Sequence, residues 1–210
     1  AKVGSNSLYS ANIAGATTNL SYANYTLSSF FNGATAYTIS TWLYPAALPA
    51  SSAAVPYHLT NSTFVVAAYP YINTNGTIGL AFYTTTSGAV SIGITTTTTI
   101  STNTWTHLVI MFASGIASIY INGALCATGT YTGTICLANN VGTPTNLIVG
   151  AATNAYGGYN GFIDDVRIYN AGLTSTQIYT LYATTALTPA IYITQNFSTG
   201  VPLIPTITPA

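Results

Sequence analysis

Alternation of apolar and polar positions at a period of two recurs along most of the chain. It is carried by AYTISTWLY (36–44), TFVVAAY (63–69), TIGLAFYT (77–84) and AVSIGIT (89–95). TWTHLVIMFA (104–113), IASIYI (116–121), NLIVGAA (146–152) and GFIDDVRIY (161–169) continue it. Their Tyr, Ile, Val and Thr side chains suit a pleated, half-buried surface, so each segment predicts a strand. Gly, Asn and Pro clusters separate them at sheet-like spacing. INGA (121–124) is the sharpest hairpin signal, because Asn-Gly tolerates the positive φ of a type I′ turn. SGAV (87–90) and ASGIA (113–117) punctuate two more. So many strands with short links predict an all-β, two-sheet antiparallel jelly-roll sandwich, with Trp42, Leu108, Ile110, Ile119, Ile148 and Val166 in its core.

One segment has helical spacing. In LTSTQIYTLY (173–182), Thr174 and Gln177 form a capping box, and Ile178, Leu181 and Tyr182 then share a face. This predicts one short helix near 174–183, laid on a sheet. From Thr184 the texture changes: the last 27 residues hold four prolines, two apolar runs and no charge. The division is therefore a sandwich over 1–183 and an extended tail over 184–210.

Composition changes the picture mainly through what is missing. The chain of 210 residues is 49% hydrophobic but only 2% charged, where about 25% is ordinary. Thr, Ser, Asn, Gly and Tyr must then supply the surface. With one Lys and one Arg, nothing neutralises phosphates, which argues against nucleic acid as a partner. The aromatic and β-branched content excludes disorder, and no apolar run is long enough for a membrane-spanning helix. The opening AKVGSNSLYS carries no hydrophobic signal core, so any export signal is expected to have been removed or never included. Cys126 and Cys136 read as a disulfide rather than two free thiols, and His58 and His107 are not spaced to complete a zinc site with them. Asn19, Asn24, Asn61, Asn75 and Asn196 head glycosylation sequons, with Asn75 in the turn-like NTNGT the first choice. Together these features predict a secreted or cell-surface protein. With only two carboxylate side chains, acid is expected to have little to act on. Life in strong acid and relaxed selection on a glycan-covered surface both account for such a composition.

The order of the pieces carries a resemblance. YTISTWLYP, then WTHLVIMFASGIASIYINGALCATG, then NLIVGAATNAYGGYNGFIDDVRIYNAGLTSTQIYTLY resembles the laminin G-like branch of the concanavalin A-like lectin/glucanase superfamily. The likeness covers roughly 6–183, and the closing strand and helix are its most specific part. It implies a two-sheet jelly roll and much less about function, since that fold carries lectins, glycanases and adhesion modules.

Three of the four charged side chains, Asp164, Asp165 and Arg167, fall within FIDDVRIY. Strict alternation would place Phe162, Asp164, Val166 and Ile168 on one face and Ile163, Asp165, Arg167 and Tyr169 on the other. Asp165 and Arg167 are then same-face neighbours, expected to form an exposed structural ion pair. The only two carboxylates would point to opposite faces, which does not suit a glycosidase, and no other catalytic constellation stands out. The chain is therefore expected not to be an enzyme. No cofactor is expected, and with both Asp structural, no tight calcium site. Sugar recognition needs no charge, and ATNAYGGYNGF (152–162) offers Asn154, Tyr156, Tyr159 and Asn160 as candidate glycan contacts.

Two functions compete at this level. One is a structural or adhesive subunit of an extracellular assembly, polymerising head-to-tail with copies of itself through a terminal strand. Ile191, Ile193, Val201, Leu203 and Ile207 would be the donor-strand contacts, with prolines 202 and 205 keeping the tail extended. The N-terminal AKVGSNSLYSANI is the alternative donor. The other function is a non-catalytic carbohydrate-binding lectin.

Overall fold

The computed structural model describes residues 7–12, 14–15, 20, 22–27, 30–31, 34–60, 66–82, 93–132, 145–152, 157–184 and the backbone of 191–192. In chain order the described strands begin with β1 (Leu8–Ala11), β2 (Ala23–Thr26), β3 (Tyr37–Pro45), β4 (Tyr57–Thr60), β5 (Val66–Ile72), β6 (Thr77–Phe82) and β7 (Ile94–Thr99). They continue with β8 (Thr106–Ala113), β9 (Ile116–Ile121), β10 (Ala124–Thr130), β11 (Asn146–Val149), β12 (Asn160–Tyr169) and β13 (Ile191–Tyr192). One sheet runs β1-β12-β3-β8-β9-β10 with β13 also on β12; the other runs β2-β11-β4-β5-β6-β7. Every pairing is antiparallel.

The turns follow from the residues in them. Asn122 (φ 51°) and Gly123 (φ 79°) join β9 to β10, and Ser114 (φ 53°) and Gly115 (φ 76°) join β8 to β9. Two consecutive positive φ values give the turn the twist that hairpin strands require. Between the sheets, Ile39, Leu43, Leu108, Ile110, Phe112 and Ile119 meet Tyr57, Leu59, Ile78, Leu80, Phe82 and Leu147. Each such side chain, fully buried, contributes about 1.5–3 kcal/mol. All six residues expected in the core are buried, but two lie elsewhere. Leu147 and Val149 of β11 face the core, so Ile148 between them is on the outer face. Trp42 lies on the outer face of the seven-stranded sheet, under Tyr182 at a ring separation of 5.8 Å.

Tyr182 belongs to α1 (Ser175–Ala183), which closes part of that outer face. The Gln177 N–H donates to the Thr174 hydroxyl at 3.2 Å, and the Thr174 N–H donates to Gln177 Oε1 at 2.9 Å. Ile178 and Leu181 then pack on Val109, Tyr120, Tyr169 and Leu173 as a second small core.

The alternation expected of β12 fails at its charges. Asp164 is opposite Trp42 and Arg167 opposite Ser40, so Asp165 and Val166 together face the single residue Thr41. This is a bulge, with Asp165 at φ 51° and its N–H bonded to Asp164 Oδ1 at 2.8 Å. The bulge reverses parity: Ile163 and Ile168 both face the core, while Arg167 and Tyr169 face the helix side. The carboxylates therefore do not divide between the two faces. Asp164 lies in register with Trp42, and Asp165 Oδ1 accepts from Arg167 Nε at 2.7 Å. That ion pair is buried, with side-chain exposures of 4% and 3%, rather than exposed. Removing one partner of a buried pair leaves the other charge uncompensated, at a cost of about 3–5 kcal/mol. Asp165→Ala should lower the urea midpoint by a corresponding amount; Asp165→Asn, which tolerates the positive φ but also strands Arg167, should lose nearly as much.

The two histidines correct the expectation that acid has little to act on. His58 on β4 is fully buried, and among the described residues neither ring nitrogen has a hydrogen-bond partner. Burial lowers it to about 4. His107 on β8 shares a hydrogen at 2.8 Å between Nε2 and the Ser40 hydroxyl; burial first, and the Arg167 charge second, lower it to about 3. Both folded values lie below the unfolded one, near 6.5, so the unfolded chain takes up protons first. Stability is then complete above about pH 6.5 and declines as pH falls, by on the order of 3 kcal/mol per histidine. Urea denaturation between pH 7 and pH 4 should show that decline. His58→Leu should reduce it by about half, the remainder belonging to His107, and an unchanged slope in the variant would refute the assignment.

Candidate functional site

The outer face of the six-stranded sheet carries chemistry at its centre. Ala68 and Ile72 of β5 face the core, so Tyr69 and Tyr71 point outward, both half-buried. Their rings lie 6.0 Å apart, and Tyr69 meets His58 edge-on at 5.6 Å, which gives one aromatic row across β4 and β5. Small residues stand opposite: Tyr69 pairs with Ala81 and Tyr71 with Gly79 of β6. Gly79 leaves room for this ring, because a Cβ added to it would run into the Tyr71 ring and force it to move. The ring thus lies across the sheet, with its hydroxyl directed toward exposed Gly93, next to β7. Exposed Thr95, opposite Gly79, adds a hydroxyl at the edge.

This arrangement suits a neutral, hydroxyl-bearing ligand. A tyrosine ring offers an apolar face and a polar tip, which match the C–H face and hydroxyl rim of a pyranose. Beneath them the imidazole of His58 is fully buried, and among the described residues neither ring nitrogen has a hydrogen-bond partner; a buried polar group left so costs about 1–3 kcal/mol. Among the described residues, no group of three or more His, Cys, Asp or Glu side chains could hold a metal ion, and no helix is long and apolar enough to cross a membrane.

The residues singled out from sequence fall apart in space. Tyr159 is not a loop side chain: it is buried in the main core, and its hydroxyl donates to the Phe162 carbonyl at 3.2 Å. Asn160 is half-buried at the start of β12, on the other sheet, and Asn154 and Tyr156 lie outside the described residues. Asn75 is exposed in the β5–β6 turn, where its Oδ1 accepts from the Thr77 N–H (3.1 Å) and hydroxyl (2.7 Å). Asn24 is exposed on β2 and accepts from Asn146 Nδ2 at 3.0 Å; Asn19, Asn61 and Asn196 are outside the described residues. Cys126 is half-buried, with its sulfur 3.4 Å from the Ala124 carbonyl and no disulfide among the described residues; its expected partner Cys136 lies outside them. So are the donor contacts Ile193, Val201, Leu203 and Ile207. Sequence reasoning missed Tyr69 and Tyr71, although the alternation in AAYPYI placed both on one face.

Several solved structures share the architecture. A putative carbohydrate-binding protein from Bacteroides ovatus aligns at a TM-score of 0.59 and 13% identity, over 91% of this chain and 54% of that one. A heptameric SAP-like pentraxin from Limulus polyphemus aligns at 0.55 and 14%, over 81% and 83%. Trypanosoma rangeli sialidase aligns at 0.54 and 13%, over 71% and 23%. At such identities the likeness is one of fold. No curated protein sequence matches the chain. The laminin G-type family model, described as the concanavalin A-like lectin/glucanases superfamily, matches residues 14–179, and the chain belongs to that superfamily.

Proposed function

We propose that the protein is a non-catalytic module that binds neutral glycans on the outer face of its six-stranded sheet. The observation that carries this reading is the half-buried Tyr71 ring laid across Gly79, next to Tyr69. The near-absence of charge favours an uncharged ligand, and the carbohydrate-binding protein among the structural neighbours is consistent with it. A hydrolytic role is disfavoured because Asp164 and Asp165 are both buried, away from this face. Tyr71→Ala should weaken binding of a neutral oligosaccharide by tenfold or more in titration calorimetry, with the thermal midpoint little changed. Unaltered affinity in that variant would reject the site.

A second reading, a structural or adhesive subunit of an extracellular assembly, is favoured by one pairing. β3 takes one edge of β12; β1 and β13 share the other, with Leu8 opposite Ile163 and Tyr192 opposite Arg167. Both run antiparallel to β12, so the tail enters along an edge whose remainder a short N-terminal strand covers. The same slot, filled by the tail of a neighbouring copy, would give a head-to-tail contact that builds an open chain unless it closes into a ring. Negative-stain microscopy of the full chain should then show filaments, and deletion of 184–210 should abolish them. Filaments that persist after deletion would remove the tail as donor and leave the N-terminal strand.

A further inference from the structure

Two glycosylation sequons fall among the described residues, and the fold treats them differently. Asn75, Gly76 and Thr77 make the turn from β5 to β6. The Asn73 N–H donates to the Thr77 carbonyl and the Gly76 N–H to the Asn73 carbonyl, each at 2.9 Å. Gly76 takes the positive φ of 81° that this tight turn needs, and its carbonyl accepts from the Ile100 N–H at 2.8 Å, which anchors the turn to the chain after β7. Held in that frame, exposed Asn75 accepts at Oδ1 from both the N–H (3.1 Å) and the hydroxyl (2.7 Å) of Thr77. Asn73 Nδ2 donates to the same hydroxyl at 2.9 Å and so fixes its direction toward Asn75.

Asn24 heads the other sequon, in the middle of β2. Its backbone is in register with Ile148 of β11, and its Oδ1 accepts from Asn146 Nδ2 at 3.0 Å. Residues two apart on a strand are separated by roughly 6.5–7 Å, so Thr26 does not take the place at Asn24 that Thr77 takes at Asn75. To present Asn24 to an enzyme, β2 would have to be pulled from its ladder, whereas a turn tip is presented as it stands.

We infer that Asn75 is an N-glycosylation site selected by the geometry of its turn, and that Asn24 is left bare. The inference depends on neither functional reading above. An amide nitrogen is a poor nucleophile, because its lone pair is shared with the carbonyl. The two Thr77 donors sit where negative charge gathers on Oδ1 as Nδ2 gives up a proton, so they ease the step that makes the nitrogen reactive. The bond formed joins Nδ2 to the anomeric carbon of a glycosyl phosphate donor. The bond broken is that carbon's link to the phosphate, which leaves with the electron pair, and the Nδ2 proton passes to a base of the transferase. A bulky, solubilising sugar at this tip would also suit a chain whose net charge of zero does nothing to keep copies apart.

The full chain isolated from its native source, digested with chymotrypsin, should yield the peptide Ile72–Leu80 carrying a sugar mass in intact-glycopeptide mass spectrometry. Occupancy at Asn24 should be at least tenfold lower. Asn73→Ala, expressed in the same cells, keeps the sequon but removes the donor that orients the Thr77 hydroxyl, and should lose at least half of the occupancy at Asn75. Asn24→Gln should leave that occupancy unchanged. Circular dichroism and the thermal midpoint of each variant separate a lost modification from a lost fold. A bare Ile72–Leu80 peptide would overturn the site. Equal occupancy at Asn24, or full occupancy at Asn75 in a folded Asn73→Ala variant, would overturn selection by the turn.

Discussion

The seven-stranded sheet depends on one extra residue in β12. Ile163 and Ile168 are five positions apart, so a regular strand would send them to opposite faces; the bulge at Asp165 brings both into the core. The same shift turns Arg167 and Tyr169 toward α1, and Tyr169 becomes part of the seat on which Ile178 and Leu181 rest. Asp165 serves the bulge twice. Aspartate is among the few side chains that adopt positive φ with little strain, and its carboxylate neutralises the guanidinium that the bulge has buried. A chain that has otherwise given up charge keeps it where backbone geometry and a buried cation need the same residue.

What the sequence made legible were features encoded by neighbours. The Thr174–Gln177 cap and the Asn122–Gly123 turn are local chemistry, and long alternating segments such as β3 and β8 declare themselves. β1, β2 and β4 have only four residues each, and in β4 all four are buried, so no alternation marked it. The bulge was invisible for a related reason: a period-two reading assumes the regularity that a bulge breaks. Tyr159 was misplaced because Gly-rich composition suggests an exposed loop, whereas its ring fills the core and its hydroxyl finds a carbonyl. The aromatic cluster of Tyr9, Tyr44, Trp105 and Phe162 draws on four separate segments of chain, and only strand register brings them together.

The low charge also changes how the interior is held. Buried polar groups bond mainly to backbone: the Ser10 hydroxyl donates to the Tyr159 carbonyl at 2.7 Å, and Asn12 Nδ2 donates to the Gly150 carbonyl at 2.8 Å. The Thr38 hydroxyl donates to the Ala171 carbonyl at 2.8 Å, which ties β3 to the approach to the helix. Such bonds are insensitive to pH. The exceptions are the buried Asp165–Arg167 pair and the two histidines, and His58 and His107 account for the decline in stability expected between pH 7 and pH 4. His58 lies beside the proposed tyrosine platform, so protonation there would reach the site as well as the fold.

A neutral surface has no long-range field to steer a ligand, so recognition must rest on contact alone. Stacking on tyrosine is short-ranged, and a single shallow face of the kind proposed would give modest affinity. Several copies of such a face held together would change the arithmetic, because a second capture occurs at the effective concentration set by the first, and avidity can rise by about 10²–10⁴ without any new contact. That gain exists only where ligand chains stand close enough to be reached by more than one copy. A densely glycosylated surface meets that condition and a dilute oligosaccharide does not, so a binder of this kind would select for ligand density as much as for sugar identity.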